Sequence, residues 1–548
     1  MTKSVINNPA KLNTGIRYGI LEFGEGSNKL FRDFLYMFGD KLDLKVSVCL
    51  KEGDSKLPGD CESFICCTFN REEAGKKLSS MGLTYKKDYY WAEDFFCLLD
   101  DWKQKKIAFL SYPETFRGMM KSIAFGFAIK RGGDALFRKG SNVSRSFYAL
   151  RLIPGFFVSI PQFFAKGNQY RNYDYVCFEA VSDAIRFKDD FPNLANKIIT
   201  VEELRAHTMA SSYMSATYYD KRQNSCACDA PYHMLWVGKS GSTRLCDCPD
   251  YLDVSCGNIG ITDIHKVWQS PLAEIIRLSV INNTYTFCSR ERCGKLSGQK
   301  EQKALLERRK VTDSAYPQQM NVAIDTVCNL HCPSCRKAIC AKNDEKAELE
   351  VRTCTDAILK SGWLETAEQL LVGGSGEAFL SKHYKKVIYE GAGKRKSIII
   401  MTNGTLFTLE EWEELEGKYD EVGFMVSVDA ATKETYEKVR CGGNFDRLMS
   451  NMDFLSHLRK DQRVNSVKVI MIVQETNYRE IPEFIRWAKE KGFDAVNLSH
   501  IRNWGTYRDD FFWQNVSMFD QNGQMKTELK AVLEDPVCND PIVNYSWK

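Results

Sequence analysis

From residue 320 to about 500 the chain alternates between short runs rich in Val, Ile and Met and helical stretches. The expected strands are 321–324, 370–372, 397–401, 422–428, 467–472 and 495–498. The expected helices are 347–360, 383–391, 409–416, 432–439, 445–458 and 480–491. Strands alternating with helices specify a parallel sheet. Six such units in about 180 residues predict an open or partial (β/α)6 barrel, which puts its chemistry at the C-terminal ends of the strands.

Directly after the first of these strands stands Cys328-Asn-Leu-His-Cys332-Pro-Ser-Cys335. Spacings of three and then two intervening residues let one tight loop aim three sulfurs at one centre. Three thiolates are one short of a closed site. A four-iron cluster held this way keeps one iron open for a small chelating ligand. Zinc is the alternative reading of the same spacing.

Cysteine is also the outlier in composition. The chain has 548 residues, which corresponds to three or four domains, with 20 cysteines and only seven histidines. The first thirteen residues, MTKSVINNPAKLN, contain no apolar run, so no secretory signal and a cytoplasmic location are expected. In a reducing compartment clustered thiols read as metal ligands, not as disulfides. Scattered ones such as Cys49, Cys66 and Cys97 read as small buried hydrophobes. With 44% hydrophobic and 27% charged residues the chain is not a disordered polymer, and 75 basic against 71 acidic residues, net +4, make no polyelectrolyte. The uncharged stretch 152–165, one of the two longest, holds two prolines and is shorter than the roughly 20 apolar residues of a membrane span.

The three-cysteine loop resembles the cluster-binding motif of the radical S-adenosylmethionine (SAM) superfamily, and the later strand ends are similar to that superfamily as well. Gly373-Gly374-Ser375-Gly376-Glu377-Ala378 resembles its Gly-Gly-Glu-Pro turn, with Ser375 and Ala378 as departures. Thr402-Asn403-Gly404 follows the third strand. Ser427-Val428-Asp429 follows the fourth, with Arg440 downstream. Ser334 stands where the family often has an aromatic residue. The resemblance implies a [4Fe–4S] cluster with an open iron site on Cys328, Cys332 and Cys335, and SAM bound by Gly374, Ser375, Gly376, Glu377, Asn403, Ser427, Asp429 and Arg440. It implies reductive cleavage of SAM to a 5′-deoxyadenosyl radical, with a flavodoxin- or ferredoxin-type electron donor.

A second thiol group, Cys226, Cys228, Cys246, Cys248, Cys256, Cys288 and Cys293, spans 68 residues. Zinc is the simpler alternative, although zinc ribbons favour pairs with two intervening residues. Gly257-Asn258-Ile259, Trp268 and Arg277 follow in the order found in SPASM domains, which carry auxiliary iron–sulfur clusters. Here the segment precedes the barrel and its spacings differ. One or two auxiliary clusters are implied.

The expected organisation is an N-terminal α/β-type domain over 1–205, a cysteine-rich SPASM-like domain over 206–300, a radical SAM core over 315–505 and a C-terminal extension over 506–548. No internal repeat is apparent. Residues 64–67 read as a strand and 71–81 as a helix, and the GxG string within 22–28 reads as a turn. The stretch 103–171 carries 13 Lys/Arg and two acidic residues among interleaved aromatics. It reads as a solvated basic face, with an anionic substrate, an acidic leader peptide or an anionic membrane surface as alternatives. No nucleic-acid module is found. The overall expectation is an oxidoreductase of maturase type that abstracts hydrogen from a C–H bond of a peptide or protein. A sugar or glycan substrate and a non-enzymatic iron–sulfur protein are the alternatives.

Overall fold

The computed structural model describes residues 316–547 without a break, most of 228–270, and shorter stretches elsewhere. The chain divides into two units, Met1–Cys226 with Gln269–Cys288, and Ala227–Trp268 with Ser289–Lys548.

The second unit is built on a ten-stranded sheet. Its strands are β9 (Met234–Val237), β10 (Ser242–Arg244), β11 (Gly257–Asn258), β12 (Gln319–Val322), β13 (Gln369–Val372), β14 (Gly393–Thr402), β15 (Tyr419–Ser427), β16 (Ser466–Val473), β17 (Ala495–His500) and β18 (Val543–Tyr545). The order is β11-β10-β9-β12-β13-β14-β15-β16-β17-β18. Every pairing from β9 to β18 is parallel, while β10 and β11 are added antiparallel.

Register explains the core. Leu235, Met320, Leu370 and Ile398 form one cross-strand row, and Val237, Val322, Val372, Ile400, Phe424 and Val467 form the next. All ten are fully buried. Each such side chain contributes about 1.5–3 kcal/mol on leaving water. The period of two that marks a strand is thus the period that fills one face of the sheet.

The crossover helices start where capping side chains dictate. Asp344, Ser381, Thr408, Thr432 and Asn444 each accept a bond from the first-turn backbone of the helix that follows. Such a cap is worth about 1 kcal/mol. The helix Ile481–Lys491 lays Ile481, Phe484, Ile485 and Ala488 inward and ends at Gly492, whose φ of 76° an L side chain rarely adopts.

All six strands and six helices expected between 320 and 500 are present, with ends shifted by a few residues. The first strand stops at Val322 instead of 324, because Asp325 is drawn off the sheet. Its carboxylate accepts from Ser381 Oγ at 2.5 Å, and its backbone exchanges bonds with the Tyr384 hydroxyl. Beyond the expected six, β18 comes from the C-terminal extension and β9–β11 come from the cysteine-rich segment.

The first unit contains two four-stranded parallel sheets. One is formed by β1 (Tyr18–Phe23), β2 (Leu44–Cys49), β3 (Ser63–Thr68) and β4 (Tyr89–Trp91), in the order β2-β1-β3-β4. The other is formed by β5 (Ile107–Ser111), β6 (Gly155–Ser159), β7 (Tyr175–Phe178) and β8 (Ile198–Thr200), in the order β6-β5-β7-β8. The two share one strand order. The helix expected at 71–81 is Arg71–Ser80. The string at 24–28 and most of 103–171 lie outside the described residues.

Candidate active site

The site lies where β12, β13, β14 and β15 end. The loop leaving β12 carries Cys328 (8% exposed), Cys332 (7%) and the exposed Cys335. It is pinned on several sides. The Cys328 amide donates to Cys340 O at 2.7 Å, the His331 amide to Cys441 O at 3.0 Å, and Asn329 Nδ2 to Thr405 Oγ1 at 2.9 Å.

The Gly-rich turn after β13 packs directly on this loop. The Glu377 amide donates to Val327 O at 2.7 Å. A Cβ on Gly376 would stand 2.5 Å from Val327 O and 2.8 Å from Asp325 O, so only glycine permits the approach. Gly374 has φ 99° and is solvent-exposed, and Ser375 is half-buried beside it. Glu377 itself is 1% exposed. Its carboxylate accepts from Thr402 Oγ1 at 2.5 Å, from the Asn403 amide at 2.7 Å and from the Phe379 amide at 3.2 Å. Burial pushes its pKa above the usual carboxylate range against these bonds, which act to lower it. The carboxylate therefore ties the β13 turn to the end of β14.

Asn403 continues the chain of contacts. Its side chain donates to Asn329 Oδ1 at 2.9 Å and lies 3.8 Å from Cys328 Sγ. At the end of β15, Ser427 is half-buried, and Asp429 is 4% exposed with a left-handed φ of 67°. Asp429 accepts from the Ile472 amide at 2.7 Å and pairs with Arg440 Nη2 at 2.8 Å. Arg440 Nη1 reaches to 3.7 Å from Cys332 Sγ, while its buried Nε has no hydrogen-bond partner.

Sequence reading passed over Arg336, although it follows the third cysteine directly. Its guanidinium donates to Thr326 O at 2.5 Å, to Ser375 O at 2.9 Å and to Cys335 Sγ at 3.4 Å. Every sulfur of the loop thus meets an N–H: Leu330 and Asn403 at Cys328, Arg440 at Cys332, Arg336 at Cys335. Burial raises the Cys328 and Cys332 thiols, so in an empty loop they hold their protons. Metal binding displaces such protons.

Among the described residues no three Cys, His, Asp or Glu side chains converge on one metal ion. A cluster does not ask for that, because its three thiolates bind three different irons. A loop of three cysteines, N–H donors at each sulfur and an unpartnered guanidinium nitrogen beside it suit an anionic iron–sulfur group with room for a ligand.

The other thiol group is less unified. Cys228, Cys246, Cys256 and Cys293 belong to the sheet-bearing unit and Cys288 to the other. Cys226 and Cys248 lie outside the described residues. Cys256 is 1% exposed, with Thr243 Oγ1 3.3 Å from its sulfur. Asn258 of the Gly-Asn-Ile turn bonds Ser240 O and the Gly260 amide, both at 2.9 Å. Trp268 is 2% exposed and packs edge-on against Trp363.

No protein-family profile matches the chain. It is 24% identical over 181 residues to the tungsten-containing aldehyde ferredoxin oxidoreductase cofactor-modifying protein of Pyrococcus furiosus, covering 32% of this chain and 50% of that protein. It is 26% identical over 183 residues to the mycofactocin maturase MftC of Mycobacterium tuberculosis, covering 33% and 44%. It is 25% identical over 183 residues to the antilisterial bacteriocin subtilosin biosynthesis protein AlbA of Bacillus subtilis, covering 33% and 39%. Over about a third of its length the chain is similar to these maturation and cofactor-modifying proteins. The match spans half or less of the length of these relatives. Among solved structures, SuiB of Streptococcus suis aligns with a TM-score of 0.28 at 14% identity, covering 42% of this chain and 49% of that one. Native anSMEcpe with bound AdoMet and Kp18Cys peptide gives 0.26 at 18%, covering 34% and 52%. Scores this low carry no weight, and the fold rests on its own strand order. Among the described residues no helix is long and apolar enough to cross a membrane.

Proposed function

We propose that this chain is a radical SAM enzyme of the SPASM-type maturase class that modifies a peptide or protein, with Cys328, Cys332 and Cys335 holding a [4Fe–4S] cluster at the open end of a partial barrel. The observation that carries this is the convergence of four strand ends on one loop whose three sulfurs each meet an N–H. When bound, cluster and SAM together supply a 5′-deoxyadenosyl radical able to abstract hydrogen from a C–H bond. The chain's own residues orient the partners. The backbone of Gly374 and Ser375 would hold the methionine ammonium, Glu377 and Asn403 fix that turn against the cluster loop, and Ser427, Asp429 and Arg440 would serve the ribose and carboxylate side.

Two relatives are named for maturation or bacteriocin biosynthesis. These favour a peptide over a glycan. The remaining cysteines, Cys226, Cys228, Cys246, Cys248, Cys256, Cys288 and Cys293, would hold one or two auxiliary clusters. The electron would come from a flavodoxin or ferredoxin in a reducing, cytoplasmic compartment.

The test is 5′-deoxyadenosine release from SAM by the full chain under anaerobic conditions with dithionite. Cys328→Ala, Cys332→Ala and Cys335→Ala together should abolish it while auxiliary iron remains. Undiminished release in the triple variant ends the assignment.

A further inference from the structure

The two arginines beside the cluster loop are not equivalent. Arg440 meets Cys332 Sγ, but its charge is answered by Asp429 at 2.8 Å. Arg336 meets Cys335 Sγ, and its other bonds go to neutral carbonyls, Thr326 O and Ser375 O. Among the described residues Arg336 has no carboxylate partner. Among the described residues the one uncompensated cation in direct contact with a sulfur of this loop is therefore Arg336. Its two carbonyl anchors hold it in place: one lies on the cluster loop and the other on the Gly-rich turn.

Reduction adds one negative charge to an assembly that three thiolates already make anionic. A fixed positive charge at one of those thiolates stabilises the reduced form more than the oxidised form. Cys335 is the exposed member of the three, where water alone would screen the added charge without favouring a fixed geometry. A guanidinium clamped at 3.4 Å supplies at that sulfur what burial supplies to none of them.

We infer that Arg336 is a positioning residue that raises the reduction potential of the cluster on Cys328, Cys332 and Cys335, making the cluster easier to reduce. The inference rests on the cluster reading above, and the two can fail separately. The measurement is an electron paramagnetic resonance redox titration of the full-length, iron-reconstituted chain without SAM. The signal of interest is the part that the triple cysteine variant lacks. If the wild-type chain has no such part, the cluster reading fails. If it has one, Arg336→Gln should lower its reduced-to-oxidised ratio at fixed poise about tenfold, equivalent to about 59 mV for a one-electron couple. Arg336→Lys keeps the charge and should stay near wild type. An unmoved midpoint in Arg336→Gln, or an equal shift in Arg336→Lys, overturns the inference. Should neither Arg336→Gln nor Arg336→Met assemble the cluster while Arg336→Lys does, the requirement for charge stands. Loss in all three makes Arg336 a structural strut and overturns it.

Discussion

The two cysteine groups of this chain are supported in opposite ways. Cys328, Cys332 and Cys335 sit within eight residues, on a loop tied to three other strand ends, and each sulfur has a donor. The seven cysteines between 226 and 293 are spread over 68 residues, and those described fall in both units. Among the described ones Cys256 alone is buried, against Thr243. The first group is shaped by the fold before any metal arrives. Among the described residues nothing comparable gathers the second group.

That contrast can be broken by experiment. The largest effect is expected at Gly376. Gly376→Ala drives a methyl group into Val327 O and Asp325 O and pushes the Gly-rich turn off the three-cysteine loop. Misplacement by about 1 Å costs about 100-fold in rate. 5′-Deoxyadenosine release should fall by that much with iron content unchanged, and wild-type release would mean the turn and the loop do not act together.

Cys288→Ala with Cys293→Ala should act on the other side of the contrast. Iron content falls and modified product is lost, while uncoupled SAM cleavage persists. Circular dichroism must show the variant folded. Full iron and full product in a folded variant would remove these two thiols from any auxiliary site.

The smallest effect is expected from Glu377→Ala, which strips a buried acceptor from Thr402, Asn403 and Phe379. Denaturant unfolding should show a loss of about 1–3 kcal/mol, the range for orphaning buried donors. A variant as stable as wild type would show that the β13 turn is held by something other than this carboxylate.

What the sequence made legible was local. The alternation of β12 to β17 with helices, the Cys328–Cys335 loop and the glycines at 373–376 are contiguous patterns. What it hid was long-range. Asp325 meets Ser381 and Tyr384 across more than fifty residues, and Asp429 and Arg440 were each marked for SAM without their mutual ion pair. Arg336 was passed over because nothing in a lone arginine after a cysteine says which carbonyls it reaches. The shared order of the two N-terminal sheets is also a matter of pairing, and pairing leaves no repeat in the residues.

The placement of β9 beside β12 decides how this protein can be cut. Met320 and Val322 owe their burial on one side to Leu235 and Val237, which precede them by some 85 residues. A chain begun just before Gln319 would retain every motif of the catalytic loop, yet it would bare the full backbone edge of the strand that launches it. Such an edge recruits other molecules. The smallest autonomous form of the catalytic region therefore has to begin upstream of Met234, and shorter forms should be recovered as aggregates.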